Sequence, residues 1–347
     1  MIGCCESISF RRGRRPSSAT DQLYAEASPS LSRPAASARA PFMEGSISNL
    51  PSTRIAVVTG GNKGVGLEVC RQLAGNGVTV VLTARDETRG AAAVENLRGL
   101  GLSNVIFHQL EITDSPSIAR LAGFLKIRFG KLDILLNNAG VVGLEYLQDH
   151  IDGTSTTSDK WRGYTYERID LLLKWCFRET RDAGKECLRT NYHGTKQVIG
   201  ALLPLLLASD DGRVVNVSSE LGQLRLFGDE ALRRELDDVE ALSEERVDAV
   251  VAAFARDLDA GAAARGWPAG AMAAYTVSKA ALNDYSRVLA RRHPALRVNC
   301  VHPGFVRTDT TVNFGLVPPE EGAARVVAEA LLPAGAYFQD GKQAPFV

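Results

Sequence analysis

The chain has 347 residues, of which 45% are hydrophobic and 23% are charged, a composition typical of a soluble globular protein. Its 40 Lys and Arg residues balance its 40 Asp and Glu residues, so it lacks the basic excess of a nucleic-acid-binding protein. The longest apolar run, residues 201–208, is too short to span a bilayer, and the six cysteines lack the spacing of a metal site or disulfide framework. We therefore expect no nucleic-acid partner, no membrane span, no metal and a reducing compartment.

Residues 1–42 differ in composition from the rest of the chain. They are rich in Ser, Ala, Arg and Pro and show no apolar periodicity, which predicts a disordered segment. Two interpretations remain open. The segment is either a plastid transit peptide, which such a composition favours, or an upstream extension with Met43 as the working start. The first interpretation places the protein in the plastid, and the second in the cytoplasm.

From Arg54 onward, short apolar segments alternate with helical segments. Six strands are predicted, from the runs RIAVVT, VTVVLTA, NVIFHQL, LDILLNNAG, GRVVNVSS and LRVNCVHPG. Continuously apolar strands separated by helices indicate a parallel sheet that is covered on both faces. Because the crossovers of such sheets are right-handed, we predict an α/β protein with a doubly wound Rossmann sheet, forming a single domain over residues 53–347.

Two segments, residues 141–187 and 220–270, are longer than typical connections, and we predict that they are insertions forming a helical lid. The second has apolar stripes at helical spacing. These comprise Leu236, Val239 and Leu242, then Val247, Val250, Val251 and Phe254. The first contains aromatic residues suited to an apolar pocket wall, namely Tyr146, Trp161, Tyr164, Tyr166 and Trp175. Residues 221–227, LGQLRLF, are predicted to reach the same pocket.

A glycine-rich loop, TGGNKGVG at residues 59–66, follows the first strand and precedes a helix. Its glycines, Gly60, Gly64 and Gly66, allow a pyrophosphate to approach the helix N-terminus. At the end of the second strand, where an NAD site carries an acidic residue, the chain has Ala84 followed by Arg85. Arg85, together with the cations Arg89 and Lys63, suits a 2′-phosphate. The alternative is that both arginines are solvated residues at a helix start, with Asp86 as the cap.

Tyr275 and Lys279 are four residues apart in a segment that favours helix, so they share one helix face. A buried ammonium beside the ring would favour the phenolate and lower the pKa of the tyrosine below its ordinary value of about 10. Such a phenol could exchange a proton near neutral pH. The alternative is an ordinary surface pair, because this spacing also occurs by chance.

The ordered set of motifs resembles the short-chain dehydrogenase/reductase family. These motifs are TGGNKGVG, NNAG at 137–140, NYHG at 191–194, the serine pair 218–219, Tyr-x-x-x-Lys at 275–279 and Pro303–Gly304. The length between Ser219 and Tyr275 is similar to that of the monomeric carbonyl reductase branch. Other segments are similar to the plant members of the family that act on menthone-like terpenoids and on alkaloids. The resemblance implies a monomer, because in that branch the insertion covers the helix used for pairing.

The resemblance also implies four catalytic residues. Tyr275 would protonate the carbonyl oxygen, and Lys279 would hold the nicotinamide ribose and lower the pKa of the tyrosine. Ser219 would donate a hydrogen bond to the carbonyl, and Asn191 would hold a water molecule that connects Lys279 to solvent. Of the serine pair, Ser219 is favoured because it lies three residues before a glycine, as in the family pattern, and Ser218 is the alternative.

The implied cofactor is NADPH/NADP+. The positions implied to bind it are Gly60, Asn62, Lys63, Gly64, Val65, Gly66, Arg85, Arg89, Glu111, Ile112, Asn138, Tyr275, Lys279, Pro303, Gly304, Val306 and Thr308. Glu111 stands where the family usually has Asp, and its longer side chain could still accept from the adenine amine. Asn137 is expected to tie strands together, whereas Asn138 is expected to lie nearer the cofactor.

These inferences favour an NADPH-dependent carbonyl reductase acting on a small lipophilic ketone or aldehyde. Two alternatives remain open. A nucleotide-sugar epimerase-like extended relative would share the Tyr/Lys pair, but the glycine spacing and NNAG disfavour it. A non-catalytic NADPH-binding sensor or scaffold is disfavoured because all four catalytic positions are present. The sequence does not name the substrate, the direction or the stereochemistry of the reaction.

Overall fold

The computed structural model describes residues 54–147, 177–259, 266–270, 272–311, 313, 315–331, 337–339 and 342–344. The predicted N-terminal extension lies outside these ranges, as do four of the five aromatic residues predicted to line a pocket in the first insertion.

The main sheet contains eight strands in the order β3-β2-β1-β4-β7-β8-β9-β10. All neighbouring pairs from β3 to β9 are parallel, and β10 is antiparallel to β9. A separate antiparallel pair, β5 and β6, closes the base of the first insertion. The strands are β1 Ile55–Val58, β2 Thr79–Ala84, β3 Val105–Gln109, β4 Ile134–Asn137, β5 Glu145–Tyr146, β6 Phe177–Arg178, β7 Arg213–Val217, β8 Arg297–His302, β9 Tyr337–Gln339 and β10 Lys342–Ala344.

Several of the described helices begin where the sequence supplies a capping side chain. Asp86, Asp114, Thr180 and Asp229 each accept a hydrogen bond from a main-chain N–H in the first turn of the helix that follows. The helices are α1 Gly64–Gly75, α2 Glu87–Gly99, α3 Ser115–Arg128, α4 Arg181–Leu188, α5 Thr195–Leu207, α6 Glu230–Asp237, α7 Glu244–Asp259, α8 Ala273–Arg292 and α9 Pro319–Leu331. A π-helical turn, Arg189–Gly194, joins α4 to α5.

Helices cover both faces of the sheet, which confirms the predicted doubly wound architecture. Alternate residues of β1 point to opposite faces, so Val57 packs in one apolar core and Val58 in the other. The first core includes residues of α3, α5 and α8, and the second includes residues of α1, α2 and α9. Burial on both faces explains why the strands are continuously apolar.

Besides the β5–β6 pair, two features of the described fold were not predicted. The short strands β9 and β10 extend the six predicted strands at the β8 edge. The long helix predicted at residues 187–209 is interrupted by the π-helical turn and includes the end of α4 and α5. Neither feature has a distinctive apolar pattern, because the strands are three residues long and the π turn lies within a helical segment.

The second insertion folds against the main body of the domain. Of its predicted apolar stripes, Val247, Val251 and Phe254 on α7 are buried in the first core. Lys196 of α5 contacts the carboxylates of Glu244 at 2.8 Å and Asp248 at 2.6 Å, both on α7. These contacts fix α7 beside α5 and α8.

The apolar segment after Ser219 is less available to a pocket than the sequence indicates. Leu224 and Phe227 are buried in the first core, where Phe227 meets Trp267 edge to face. Leu221 and Leu226 are partly exposed. Only part of the predicted pocket-lining segment can therefore face a ligand.

Candidate active site

The predicted site residues converge at the carboxyl edge of the sheet. The glycine loop follows β1, the NNAG motif begins at the end of β4, the serine pair follows β7, and Pro303 follows β8. The strand order reverses direction between β1 and β4, and open α/β sheets bind ligands in the crevice at such a point.

Ser219, rather than Ser218, lies beside Tyr275. The Ser219 side chain hydrogen-bonds the Tyr275 phenol. It also accepts from the Leu221 N–H at 3.2 Å. The Ser218 hydroxyl instead donates to Asn283 Oδ1 at 2.7 Å within the buried interior. The structure therefore places two hydroxyl groups, those of Tyr275 and Ser219, where one carbonyl oxygen could contact both.

The prediction that Lys279 lowers the pKa of Tyr275 is wrong for the polypeptide. Burial raises the pKa of Tyr275 to about 12, and the hydrogen bond from Ser219 opposes this only partly. The Lys279 ammonium lies 5.7 Å from the centre of the Tyr275 ring and donates to the Val217 carbonyl at 2.7 Å. Because the cation is directed at a neutral carbonyl, it does not offset the desolvation of the phenol.

Lys279 is itself perturbed by its environment. Only 6% of its surface is exposed, and burial lowers the pKa of its ammonium to about 8. The side chain therefore remains mostly protonated at pH 7. A buried cation that donates to a neutral carbonyl is costly to maintain, which is typical of functional rather than structural lysines.

The Asn191 side chain holds the polypeptide together beneath Tyr275. Its Oδ1 accepts from the Val141 N–H at 2.8 Å, and its Nδ2 donates to the Val141 carbonyl at 2.9 Å. Nδ2 also donates to the Ser278 hydroxyl at 3.1 Å, and that hydroxyl donates to the Tyr275 carbonyl at 2.7 Å. Asn191 thus links the segment after NNAG to the helix that carries Tyr275 and Lys279.

The glycine loop fits a pyrophosphate. Gly60 and Gly64 adopt positive φ angles of 63° and 55°, which favour glycine. A Cβ at Gly66 would lie 2.3 Å from the Gly60 carbonyl oxygen, so this close approach requires glycine. The N-cap residue of α1, Lys63, makes no side-chain hydrogen bond to the helix, and the first turn of α1 contains no acidic residue. The main-chain N–H groups at this helix start therefore suit an anion.

Asn138 supports the glycine loop. Its Nδ2 donates to the carbonyls of Thr59 at 3.1 Å and Gly60 at 3.0 Å. Asn137 donates to Asn216 at 2.8 Å and joins β4 to β7, as predicted. Asn137 and Asn138 therefore both use their side chains for hydrogen bonds within the protein, and Asn138 holds the glycine loop in shape.

The predicted 2′-phosphate cations have different surroundings. Arg85 is exposed directly after β2, and Arg89 is exposed with its guanidinium 3.6 Å from Asp86. Asp86 also caps α2, which is the role considered as its alternative. Lys63 forms an exposed ion pair with Asp309 at 2.9 Å, joining the glycine loop to the segment after β8.

Three further residues predicted to contact the cofactor are Glu111, Val306 and Thr308, and the side chain of each contacts another part of the protein. One oxygen of Glu111 accepts from the main chain and hydroxyl of Thr113, at 3.1 and 3.0 Å. The buried Val306 side chain packs towards Gly322 of α9, and its carbonyl accepts from the Thr311 hydroxyl at 2.7 Å. Thr308 lies against Gly64, so the segment after β8 directly adjoins the glycine loop.

Two residues near Tyr275 were missed by sequence reasoning. Ser278 lies within the Tyr-x-x-x-Lys motif, and its helical spacing from Tyr275 could have indicated its contact. Glu179 accepts from the Ala274 N–H at 2.7 Å across 95 residues, so no local pattern could have identified it. Within the described part of the chain there is no group of residues able to hold a metal ion, and no helix long and apolar enough to cross a membrane.

Comparison with known families gives two matching segments. A model described as short chain dehydrogenase matches residues 54–162, and one described as Enoyl-(Acyl carrier protein) reductase matches residues 257–334. The solved structure of salutaridine reductase from Papaver somniferum has a TM-score of 0.76 at 44% identity, covering 82% of this chain and 99% of that chain.

Three named relatives match most of their own length. Salutaridine reductase from Papaver somniferum is 45% identical over 287 residues, covering 81% of this chain and 91% of the relative. (+)-Neomenthol dehydrogenase from Arabidopsis thaliana is 45% identical over 284 residues, with coverages of 81% and 92%. Carbonyl reductase (NADPH) 1 from Homo sapiens is 36% identical over 301 residues, with coverages of 83% and 94%. The chain therefore belongs to the short-chain dehydrogenase/reductase family.

Proposed function

We propose that this protein is an NADPH-dependent reductase of a lipophilic ketone or aldehyde, of the size of a menthone-like terpenoid or an alkaloid. The observation that carries the proposal is the hydrogen-bonded pair of Tyr275 and Ser219 beside buried Lys279, next to a glycine loop suited to a pyrophosphate. The names of the relatives support the same reaction class, since they include a salutaridine reductase and a (+)-neomenthol dehydrogenase.

In this proposal, Tyr275 holds the proton that the carbonyl oxygen receives. Its raised pKa keeps the phenol protonated at neutral pH, as a proton donor requires. The Ser219 hydroxyl fixes the position of the same oxygen. The Lys279 ammonium would donate a hydrogen bond to the nicotinamide ribose, a role that requires the protonated side chain. NADPH, when bound, supplies the hydride that adds to the carbonyl carbon, so the product is an alcohol.

The proposed cofactor contacts follow the positions of the glycine loop and of the residues at the carboxyl ends of the strands. The glycine loop and the start of α1 would hold the pyrophosphate. Arg85, with Arg89 and Lys63, would face the 2′-phosphate, while Glu111 and Ile112 would border the adenine. Lys279 and Tyr275 would contact the nicotinamide ribose, and the main chain from Pro303 to Thr308 would border the nicotinamide.

The function can be tested by following NADPH oxidation through the absorbance of the reduced cofactor, with cyclic monoterpene ketones, alkaloid ketones and small polar or phosphorylated carbonyl compounds. We expect the highest kcat/KM among the lipophilic ketones. NADPH binding without turnover of any compound would favour a sensor or scaffold. Conversion of a nucleotide sugar without net NADPH oxidation would favour an epimerase, and higher kcat/KM for polar compounds would contradict the lipophilic assignment.

Reduction should lose rate as Lys279 loses its proton. The pKa of Lys279 is lowered to about 8, so the ammonium is present below that pH and is lost above it. The pKa of Tyr275 is about 12, so the proton donor is present throughout the same range. We therefore expect kcat/KM for reduction to be nearly constant from about pH 6 to 7 and to fall above about pH 8. A rate that rises from pH 7 to 9 would contradict the role of Lys279.

We also propose that the protein is a monomer. The second insertion is hydrogen-bonded along α8, where Arg287 donates to the Leu236 carbonyl at 3.0 Å and Arg291 to the Leu242 carbonyl at 2.6 Å. With α7 packed on α8, this face is not open for pairing with another copy. Light scattering at micromolar concentration should give the mass of one chain, and a stable dimer or tetramer would refute the proposal.

A further inference from the structure

The first turn of α8 lacks a cap of its own, although this turn carries Tyr275. The N-cap residue is Met272, and it makes no side-chain hydrogen bond to the helix. A thioether is a poor acceptor for main-chain N–H groups, whereas Ser, Thr, Asp and Asn supply the usual caps. The first intrahelical bond runs from the Thr276 N–H to the Met272 carbonyl at 2.9 Å. The N–H groups before Thr276 therefore need acceptors from elsewhere.

Glu179 supplies that acceptor from a distant part of the chain. Its Oε1 accepts from the Ala274 N–H at 2.7 Å, and Ala273 also donates to the carboxylate. Glu179 directly follows β6, which pairs with β5 at the base of the first insertion. A carboxylate at a helix N-terminus is favoured by the helix dipole as well as by the hydrogen bonds. The insertion base is thereby joined to the turn that contains Tyr275.

A second contact holds the same turn from its other side. The Tyr275 carbonyl accepts from Ser278, whose hydroxyl is in turn held by Asn191. The main chain at Tyr275 is thus held at two points. The N–H of the preceding residue, Ala274, donates to Glu179, and the Tyr275 carbonyl accepts from Ser278. Glu179 and Asn191 flank α4, so a single short segment contacts α8 at both points.

We infer that Glu179 is a positioning residue for the reaction: by capping α8 it fixes the main chain at Tyr275, and hence the place of the phenol relative to Ser219. The inference rests on the proposed function, because it gives a role in proton transfer to a residue that touches none of the reacting atoms. Within the described part of the chain no cation pairs with the Glu179 carboxyl, and burial raises its pKa to about 7. Its two main-chain donors are therefore the interactions that hold it in place.

The test compares Glu179→Ala with Glu179→Gln. The amide oxygen of Gln can still accept from the Ala274 N–H, whereas Ala removes the cap. We expect Glu179→Ala to lower kcat by about tenfold while the Kd for NADPH stays within about twofold, since a small misplacement of a reacting group has effects of this size. Glu179→Gln should keep kcat within about twofold of the parent. Equal loss in both variants, or unchanged kcat in Glu179→Ala, would overturn the inference.

Two further measurements separate this role from general stability and from the proposed function. Asp229→Ala removes a comparable cap, from α6, and should lower the melting temperature without changing kcat. Amide hydrogen exchange at Ala274 should be at least about tenfold faster in Glu179→Ala than in Glu179→Gln, because the cap protects that N–H. Faster exchange in an enzyme that reduces no ketone would contradict the proposed function alone. Unchanged exchange would contradict the cap.

Discussion

Replacing Tyr275 with Phe is expected to lower kcat for ketone reduction by about 10²–10⁴-fold, the usual contribution of a positioned general acid. The substitution removes only the phenolic oxygen, which hydrogen-bonds Ser219 and lies where a carbonyl oxygen could also reach. The ammonium of Lys279, which lies beside that pair, donates to the Val217 carbonyl instead. Turnover should be measured in single-turnover experiments with saturating NADPH, so that cofactor release does not mask the proton-transfer step.

Tyr285→Phe is the matched control for this substitution. Tyr285 lies on the same helix and is buried, but it packs against Tyr192 and away from Ser219. It should leave kcat nearly unchanged, and both variants should bind NADPH as the parent does. If Tyr275→Phe retained more than about a tenth of the parent kcat, the assignment of Tyr275 as the general acid would be wrong.

A preference for NADPH over NADH of at least about a hundredfold in kcat/KM is the second large effect expected. Bonds to a charged phosphate contribute roughly 1.5–3 kcal/mol each, so two of them account for this ratio. Arg85 is the best-placed contributor, because Arg89 lies beside Asp86 and Lys63 is paired with Asp309. Those two cations must exchange or share their carboxylate partners to contact the phosphate.

Arg85→Ala should therefore reduce the preference mainly through a higher KM for NADPH, with little change for NADH. Arg98→Ala, at the far end of α2, removes one positive charge from the same helix region and serves as the control. Its preference should remain that of the parent. Equal kcat/KM for NADPH and NADH in the parent protein would refute the assignment of the 2′-phosphate site.

The elements that were predicted best are those whose burial follows from the local pattern of apolar residues. All six predicted strands were found, and the central strands β1 and β4 are apolar runs because both of their faces are covered. The choice of Ser219 over Ser218 also agrees with the geometry, since a turn beginning at Ser219 directs its hydroxyl towards Tyr275. Such features depend on neighbours close in sequence or on the period of the strands.

The features that were missed depend on tertiary contacts. The direction of the Tyr275 pKa shift is set by how deeply the phenol is buried and by where the Lys279 ammonium points, and four-residue spacing specifies neither. Glu179 reaches α8 from 95 residues away, so its capping role cannot be read from its sequence context. Ion pairs such as Lys63–Asp309 are likewise decided by the folded arrangement of two loops.

The π-helical turn at Arg189–Gly194 has a consequence for comparing and recombining related sequences. Successive residues of an α-helix are rotated by about 100° around its axis, and a π turn contains one residue more than an α-helical turn. That extra residue therefore sets which face the side chains of α4 present relative to those of α5. If one residue were removed from this turn while α5 stayed in place, α4 would be rotated about its axis. Cys187 on α4 and Glu179 just before α4 would then no longer face α8. An alignment gap or chimera junction within this turn is therefore not a conservative change. Crossovers placed in the exposed turn after α5 would preserve the phase on both sides.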